Sequence, residues 1–195
     1  MPEDEKKSPP SPKPPTVKEQ TGFYDAFERY EIIDGIRYDF LSSPKLSHQV
    51  ILGRLHSKLV NSCRHDGVIL LAPMDVHFSE DNIVQPDLIY IDRGNLSILV
   101  DEKVMGVPDL LVEILSPSTA PRDKVKKKEL YARYGVGEYW ILDPVHQTID
   151  QLVLDGGGYR LAGSYAETDC IASAKFPCVT VQTDELFAPF DRDLR

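Results

Sequence analysis

Leu110-Leu111-Val112-Glu113-Ile114-Leu115 sets one carboxylate among five large apolar residues. A short continuous apolar run, closed here by Ser116-Pro117, predicts a strand buried on both faces. An ionised carboxylate in such a strand is costly unless it is paired or bound to a metal. Outward from this run, Asp87-Leu88-Ile89-Tyr90-Ile91 follows Pro86 and reads as a second strand. Val68 to Phe78 is β-rich, with Val76 and Phe78 alternating with polar neighbours. On the other side, a lysine-rich helix is predicted from about Pro121 to Tyr134, stopped by Gly135, a favoured residue just past a helix end. Glu138-Tyr139-Trp140-Ile141-Leu142 then reads as a strand ended by Asp143-Pro144, and glycines 156–158 as a hairpin turn followed by edge strands and a short tail.

Nearer the N-terminus, Asp34-Gly35 lies between Glu31-Ile32-Ile33 and Ile36-Arg37-Tyr38-Asp39-Phe40, a strong hairpin signal because the turn needs positive φ at both central residues. Ser43-Pro44 supplies a predicted helix N-cap and first-turn proline, and Val50, Ile51, Leu55 and Leu59 recur at helical spacing to about Ser62. Strands and helices interleave with hairpins at both ends. The expected fold class is α/β: one mixed β-sheet flanked by helices, with an N-terminal β-hairpin.

Residues 1–20 carry six of the 15 prolines and almost no large apolar residue, so they are expected to form a disordered arm, with order beginning near Gly22 and a single domain over 21–195. No apolar run approaches the roughly 20 residues that span a bilayer, and no secretory signal is expected. The three cysteines, Cys63, Cys170 and Cys178, are too few for a disulfide scaffold and are read as reduced thiols in a cytoplasmic protein. Cys63-Arg64-His65 lacks the further ligands of a zinc site. Ser116 and Ser118 lack the G-x-S-x-G setting of a serine hydrolase. The formal net charge is −9, and the arm does not account for it, since its four acidic and four basic residues balance. A general nucleic-acid binder is normally basic, so any nucleic-acid surface here must be local.

Two carboxylates stand where carboxylates are unwelcome. Glu113 is one; Asp87, opening its strand at a sheet end, is the other. Brought together they repel, and a divalent cation resolves the conflict; oxygen ligands with room for water suit Mg²⁺ or Mn²⁺. On a helical wheel, Lys127 falls within about 60° of Asp123, Leu130, Tyr131 and Tyr134, while Lys126 and Lys128 lie about 100° to either side. Lys127 thus points at the sheet and its neighbours at solvent. The structural alternative is a salt bridge between Glu113 and Lys127 with no metal. The run Arg122, Lys124, Lys126, Lys127 and Lys128 reads either as a solvated helix face or as the one basic cluster able to meet a phosphate backbone.

Taken in order, Tyr30-Glu31-Ile32-Ile33-Asp34-Gly35, His48, Gln85-Pro86-Asp87-Leu88, Val107-Pro108-Asp109-Leu110 through Ser118, then Asp123, Lys127 and Tyr131, then Gly135-Val136-Gly137-Glu138 through Pro144, resemble the Uma-type restriction endonucleases. These are a mainly bacterial branch of the PD-(D/E)xK nuclease superfamily, and the match covers roughly residues 28–155. The resemblance implies a restriction-endonuclease-like core, with a divalent metal held by Asp87, Glu113 and the carbonyl of Ile114. It also marks a departure: the superfamily lysine two residues after the glutamate is replaced by Leu115, and Lys127 on the next helix takes its place.

The expected activity is metal-dependent hydrolysis of DNA phosphodiesters, with Asp87 and Glu113 holding Mg²⁺ (or Mn²⁺) and Lys127 orienting the nucleophile. Paired cuts in a duplex imply a homodimer. Glu31, His48, Asp109 and Tyr131 are secondary candidates; His48 shares a helix face with Leu52, Leu55 and Leu59 and so reads first as a core histidine. Asp101-Glu102-Lys103 is a literal D-x-K rival, but reads as a loop. The alternative function is a nuclease-like fold kept only for binding nucleic acid or a protein, which the acidic composition favours.

Overall fold

The computed structural model describes residues 29–39, 43–117 and 119–189. The arm expected over residues 1–20, the onset of order near Gly22, Phe40 and Ser118 lie outside the described residues. The predicted hairpin forms: β1 (Tyr30–Ile33) and β2 (Ile36–Asp39) pair antiparallel around Asp34 and Gly35, whose φ values of 51° and 74° are the positive pair such a turn needs. Helix α1 (Leu46–Cys63) starts later than Ser43-Pro44 suggested; Lys45 precedes it, and no side chain caps it. Its first bond runs from the Gln49 N–H to the Lys45 carbonyl, which leaves Pro44 outside the first turn.

The β-rich stretch after α1 is broken at Pro73, giving β3 (Gly67–Leu71) and β4 (Val76–Ser79) in different sheets. Next come β5 (Asn82–Val84), β6 (Leu88–Asp92), a 3-10 turn (Arg93–Ile98), β7 (Leu99–Val100), β8 (Lys103–Met105) and β9 (Leu110–Ile114). Asp101 and Glu102 form the β7–β8 turn at φ 48° and 62°, as the loop reading of the D-x-K rival expected, while Lys103 already opens β8. A π-helical turn (Arg122–Lys127) leads into α2 (Lys128–Tyr134), stopped by Gly135 at φ 87°. The chain continues through β10 (Glu138–Asp143), β11 (Thr148–Asp155), β12 (Gly158–Tyr165), β13 (Cys170–Ala172), β14 (Thr180–Gln182) and α3 (Thr183–Phe187).

Where one mixed sheet was expected, there are two of six strands, ordered β2-β1-β5-β4-β8-β7 and β12-β11-β10-β9-β6-β3, with β13 and β14 as a separate pair. The second sheet is central and is covered on both faces. Side chains alternate along each strand, so Leu110, Val112 and Ile114 join α1 residues Leu52, Leu55 and Leu59 in one core. Leu111 and Leu115 join Ile33, Val84, Leu130 and Tyr131 in the other. Glu113 shares the parity of Leu111 and Leu115, which aims it at the face carrying α2 and the first sheet. Strands β9 and β10 are parallel neighbours, and the connection between them carries Lys127 across that face.

The cysteines depart from the reading of three reduced thiols. Cys63 at the end of α1 and Cys178 before β14 form a disulfide, while Cys170 is free and exposed. Their sequence separation of 115 hid the pairing, and the bond removes the thiol argument for a cytoplasmic location. A cross-link closing so long a loop restricts the unfolded chain strongly. Reduction should therefore lower unfolding stability by about 2–4 kcal/mol. Denaturant midpoints with and without dithiothreitol measure this, with Cys170→Ser behaving like wild type.

Candidate active site

The site begins where the β6–β9 ladder runs out. Leu88 pairs with Val112, so Asp87, one residue further, stands across from Glu113. The next partner in line, for Ile114, would be Pro86, which has no N–H to donate. That missing donor leaves the Ile114 carbonyl without a ladder partner, and the Ile114 N–H is taken by Asp87 Oδ2 at 2.7 Å. The Pro-Asp pair thus ends the sheet, fixes one carboxylate and frees a carbonyl beside it.

Glu113 is 3% exposed. Its Oε1 accepts from Lys127 Nζ at 2.8 Å and from the Tyr131 hydroxyl at 2.9 Å. Lys127, equally buried, also meets Glu31 Oε1 at 2.6 Å and Asp123 Oδ1 at 3.5 Å. Glu31 comes from β1, where alternation turns it inward beside Ile33, and the Gln85 N–H also binds its Oε1 at 3.0 Å. Arg122 Nη1 lies 3.6 Å from Glu31 Oε2. His48 Nε2 is 3.0 Å from Asp87 Oδ2. Asp87, Glu113, Asp123, Lys127, Ile114 and His48 line a cavity of about 510 Å³, with the exposed Arg29 and Lys45 among its other walls.

One buried ammonium, with Arg122 3.6 Å from Glu31, faces three buried carboxylates, so the cluster carries surplus negative charge when all three are ionised. Burial pushes the Glu113 carboxyl well above its usual range, against the pull of Lys127, and Asp123, Asp87 and Glu31 push it further. Asp123 is raised for the same leading reason. Burial pulls Lys127 down, but Glu113, Glu31 and Asp123 outweigh it and hold the ammonium charged beyond the ordinary lysine range. Tyr131 is raised by burial and by Glu113, so its hydroxyl stays a donor.

Oxygen atoms remain for a cation. Both donors to Asp87 land on Oδ2 and both donors to Glu113 on Oε1, leaving Asp87 Oδ1 and Glu113 Oε2 without a hydrogen bond among the described residues. Buried oxygens Asp123 Oδ1 and Glu31 Oε2 also lack one. Among the described residues no three His, Cys, Asp or Glu side chains form a self-sufficient metal cage. Two carboxylates and a carbonyl in a pocket fit an open oxygen site, completed by water or substrate, of the kind Mg²⁺ accepts. The Glu113–Lys127 salt bridge of the structural alternative is also formed; it uses one Glu113 oxygen and leaves the charge surplus standing.

The structure thus gathers Asp87, Glu113, Lys127, Ile114, Glu31, His48 and Tyr131. Asp109 does not join them. By alternation it shares the face of Glu113, yet it precedes β9 at the far end, accepting from the Asp92 N–H at 2.8 Å and Asn95 Nδ2 at 2.9 Å. Asp123, given no role from sequence, does join; its place four residues before Lys127 on the inward face was the available signal. Nothing local in the sequence marked Arg122 as a cavity residue.

Solved structures and family models bear on this arrangement. A crystal structure of a putative nuclease belonging to DUF820, from Anabaena variabilis, matches with a TM-score of 0.68 at 18% identity, covering 81% of this chain and 89% of that one. The fold is therefore of the kind seen in that nuclease-like protein. The family model Uma2, described as "Putative restriction endonuclease", matches residues 23–181, and the chain belongs to that family. No curated relative matches the chain.

A carboxyl raised on folding stabilises the fold while protonated, and that contribution is lost as pH rises through its folded value. Lys127→Met removes the charge opposing this. The variant should lose about 3–5 kcal/mol near neutral pH in chelator, because Glu113 and Asp123 are left without their cation while Glu31 keeps only Arg122 nearby. The loss should shrink as pH falls toward the ordinary carboxylate range, which urea unfolding at about pH 5 and about pH 8 will measure.

Proposed function

We propose that this protein is a divalent-metal-dependent endonuclease acting on DNA, with Asp87, Glu113 and the Ile114 carbonyl holding Mg²⁺ or Mn²⁺. The observation that carries the reading is the pair of half-tethered carboxylates. Each is fixed through one oxygen and presents the other into a pocket beside a carbonyl that the sheet leaves unclaimed. A bound divalent ion would lower the pKa of a water and neutralise charge building on the phosphate.

The chain's own groups supply the rest. Lys127 holds Glu113 in place and keeps a permanent positive charge facing the reacting phosphate. Tyr131 fixes the same Glu113 oxygen from α2. Arg29 and Lys45 in the cavity wall, with Lys124 and Lys126 exposed on the π-helical turn, offer cations to the flanking phosphodiester backbone. Two cuts in a duplex need two sites, so the acting species is proposed to be a homodimer. A pure binding role, which the net charge of −9 would favour, leaves the surplus of buried carboxylates without a purpose.

Supercoiled plasmid and single-stranded DNA, incubated with Mg²⁺ or Mn²⁺, test the reading. Wild type should nick and linearise the plasmid, and chelator should stop it. Glu113→Gln and Asp87→Asn should each lose at least about 100-fold while remaining folded, since even outer partners of a metal ligand are worth 10–100-fold. No cutting and no metal binding by wild type would leave the binding role as the better account.

A further inference from the structure

His48 has no part in the mechanism above, yet its placement is specific. It projects from α1 on the face that carries Leu52, Leu55 and Leu59, over the beginning of β6. Its Nε2 lies 3.0 Å from Asp87 Oδ2, the oxygen that already accepts the Ile114 N–H. A carboxylate oxygen only accepts, so Nε2 carries the hydrogen and donates. Two donors on one oxygen, from a helix and from a neighbouring strand, fix both the position and the rotation of the carboxyl group.

The other ring nitrogen supplies the second observation. His48 Nδ1 is buried and has no hydrogen-bond partner among the described residues. A buried polar atom left unpaired costs stability, and the rest of the buried face is isoleucine and leucine, closed by the disulfide-bonded Cys63. A residue selected for packing at position 48 would be apolar. The histidine is explained by what its Nε2 does to Asp87.

We propose that His48 is a positioning residue that, together with the Ile114 N–H, anchors Asp87 through Oδ2 so that Oδ1 is presented to a divalent cation. The inference rests on the metal-dependent reading above, and the test separates the two. Binding of Mn²⁺ is measured by calorimetry, and melting temperature in chelator, for wild type, His48→Leu, His48→Gln and His48→Ala. Glutamine can place an amide N–H where Nε2 lies; leucine fills the space without a donor.

His48→Leu should bind Mn²⁺ about 10–100-fold more weakly, the usual loss when an outer partner of a metal ligand is removed. Its melting temperature should be unchanged or higher, because the unpaired nitrogen is gone. His48→Gln should stay within about threefold of wild-type affinity, retaining the donor whose loss is worth at least tenfold. His48→Ala, which adds no bulk, should repeat the affinity loss and replaces the leucine variant if that one fails to fold. Wild-type affinity in both His48→Leu and His48→Ala overturns the positioning role and leaves the nuclease reading intact. Affinity and stability lost together, with no rescue by glutamine, makes His48 a structural tie only. No Mn²⁺ binding by wild type overturns the nuclease reading itself, and this inference with it.

Discussion

A single buried ammonium holds the working end of this molecule together. Lys127 reaches Glu31 on β1, Glu113 on β9 and Asp123 within its own π-helical turn. Those contacts fasten the N-terminal hairpin, the central sheet and the crossover segment at one point. Ion pairs taken out of water barely repay their desolvation, and an apolar cluster of similar size would often be at least as stable. Three carboxylates on one lysine go further: Arg122 stands 3.6 Å from Glu31, and burial favours the protonated form of Glu113 and Asp123. The fold tolerates an arrangement that stability alone would not select, and such tolerance is characteristic of sites tuned for chemistry.

The position of that cluster follows from a proline. Pro86 cannot continue the β6–β9 ladder, so the sheet stops one residue earlier than its apolar pattern would allow. Everything placed at that end inherits the interruption. Asp87 takes the N–H that a strand partner would have taken, the carbonyl of Ile114 is left unclaimed, and Glu113 stands across from Asp87 without a further strand over it. The π-helical turn contributes similarly. Its wider coil, a form often found at functional sites, places Asp123 and Lys127 together over Glu113 before α2 resumes regular winding.

How much of this was legible depended on whether the signal was local. Glu113 stood out because its immediate neighbours are apolar, Lys127 because periodicity set it beside Leu130 and Tyr131, and the Asp34–Gly35 turn because two adjacent residues determine it. The partition into two sheets was not legible. The first sheet is made of strands of two to four residues, too short for alternation to name a partner. Glu31 was a minor candidate because its partners lie far along the chain, at Gln85 and on the π-helical turn. The Cys63–Cys178 bond was hidden for the same reason. Asp109 shows the complementary limit: a period of two tells which face a residue shares, and not which end of the strand it occupies.

The acidic net charge, the chief objection from composition, loses force once charge is mapped onto the fold. Asp66, Asp92 and Asp109 gather at the far end of β6, where burial and then these three carboxylates push the Tyr90 hydroxyl up to about 12. Asp87 immediately precedes the same strand, five residues before Asp92, or roughly 17 Å away at about 3.3 Å per residue. That exceeds the Debye length of about 8 Å at physiological ionic strength, so repulsion from the acidic end is largely screened at the cavity. The cavity end sets Arg29, Lys45 and Arg122 in its walls beside Asp39 and Asp123, with Lys124 and Lys126 exposed nearby. Net charge sums over the whole surface, whereas the proposed site occupies one end of it, and only the charges at that end bear on a phosphate backbone there.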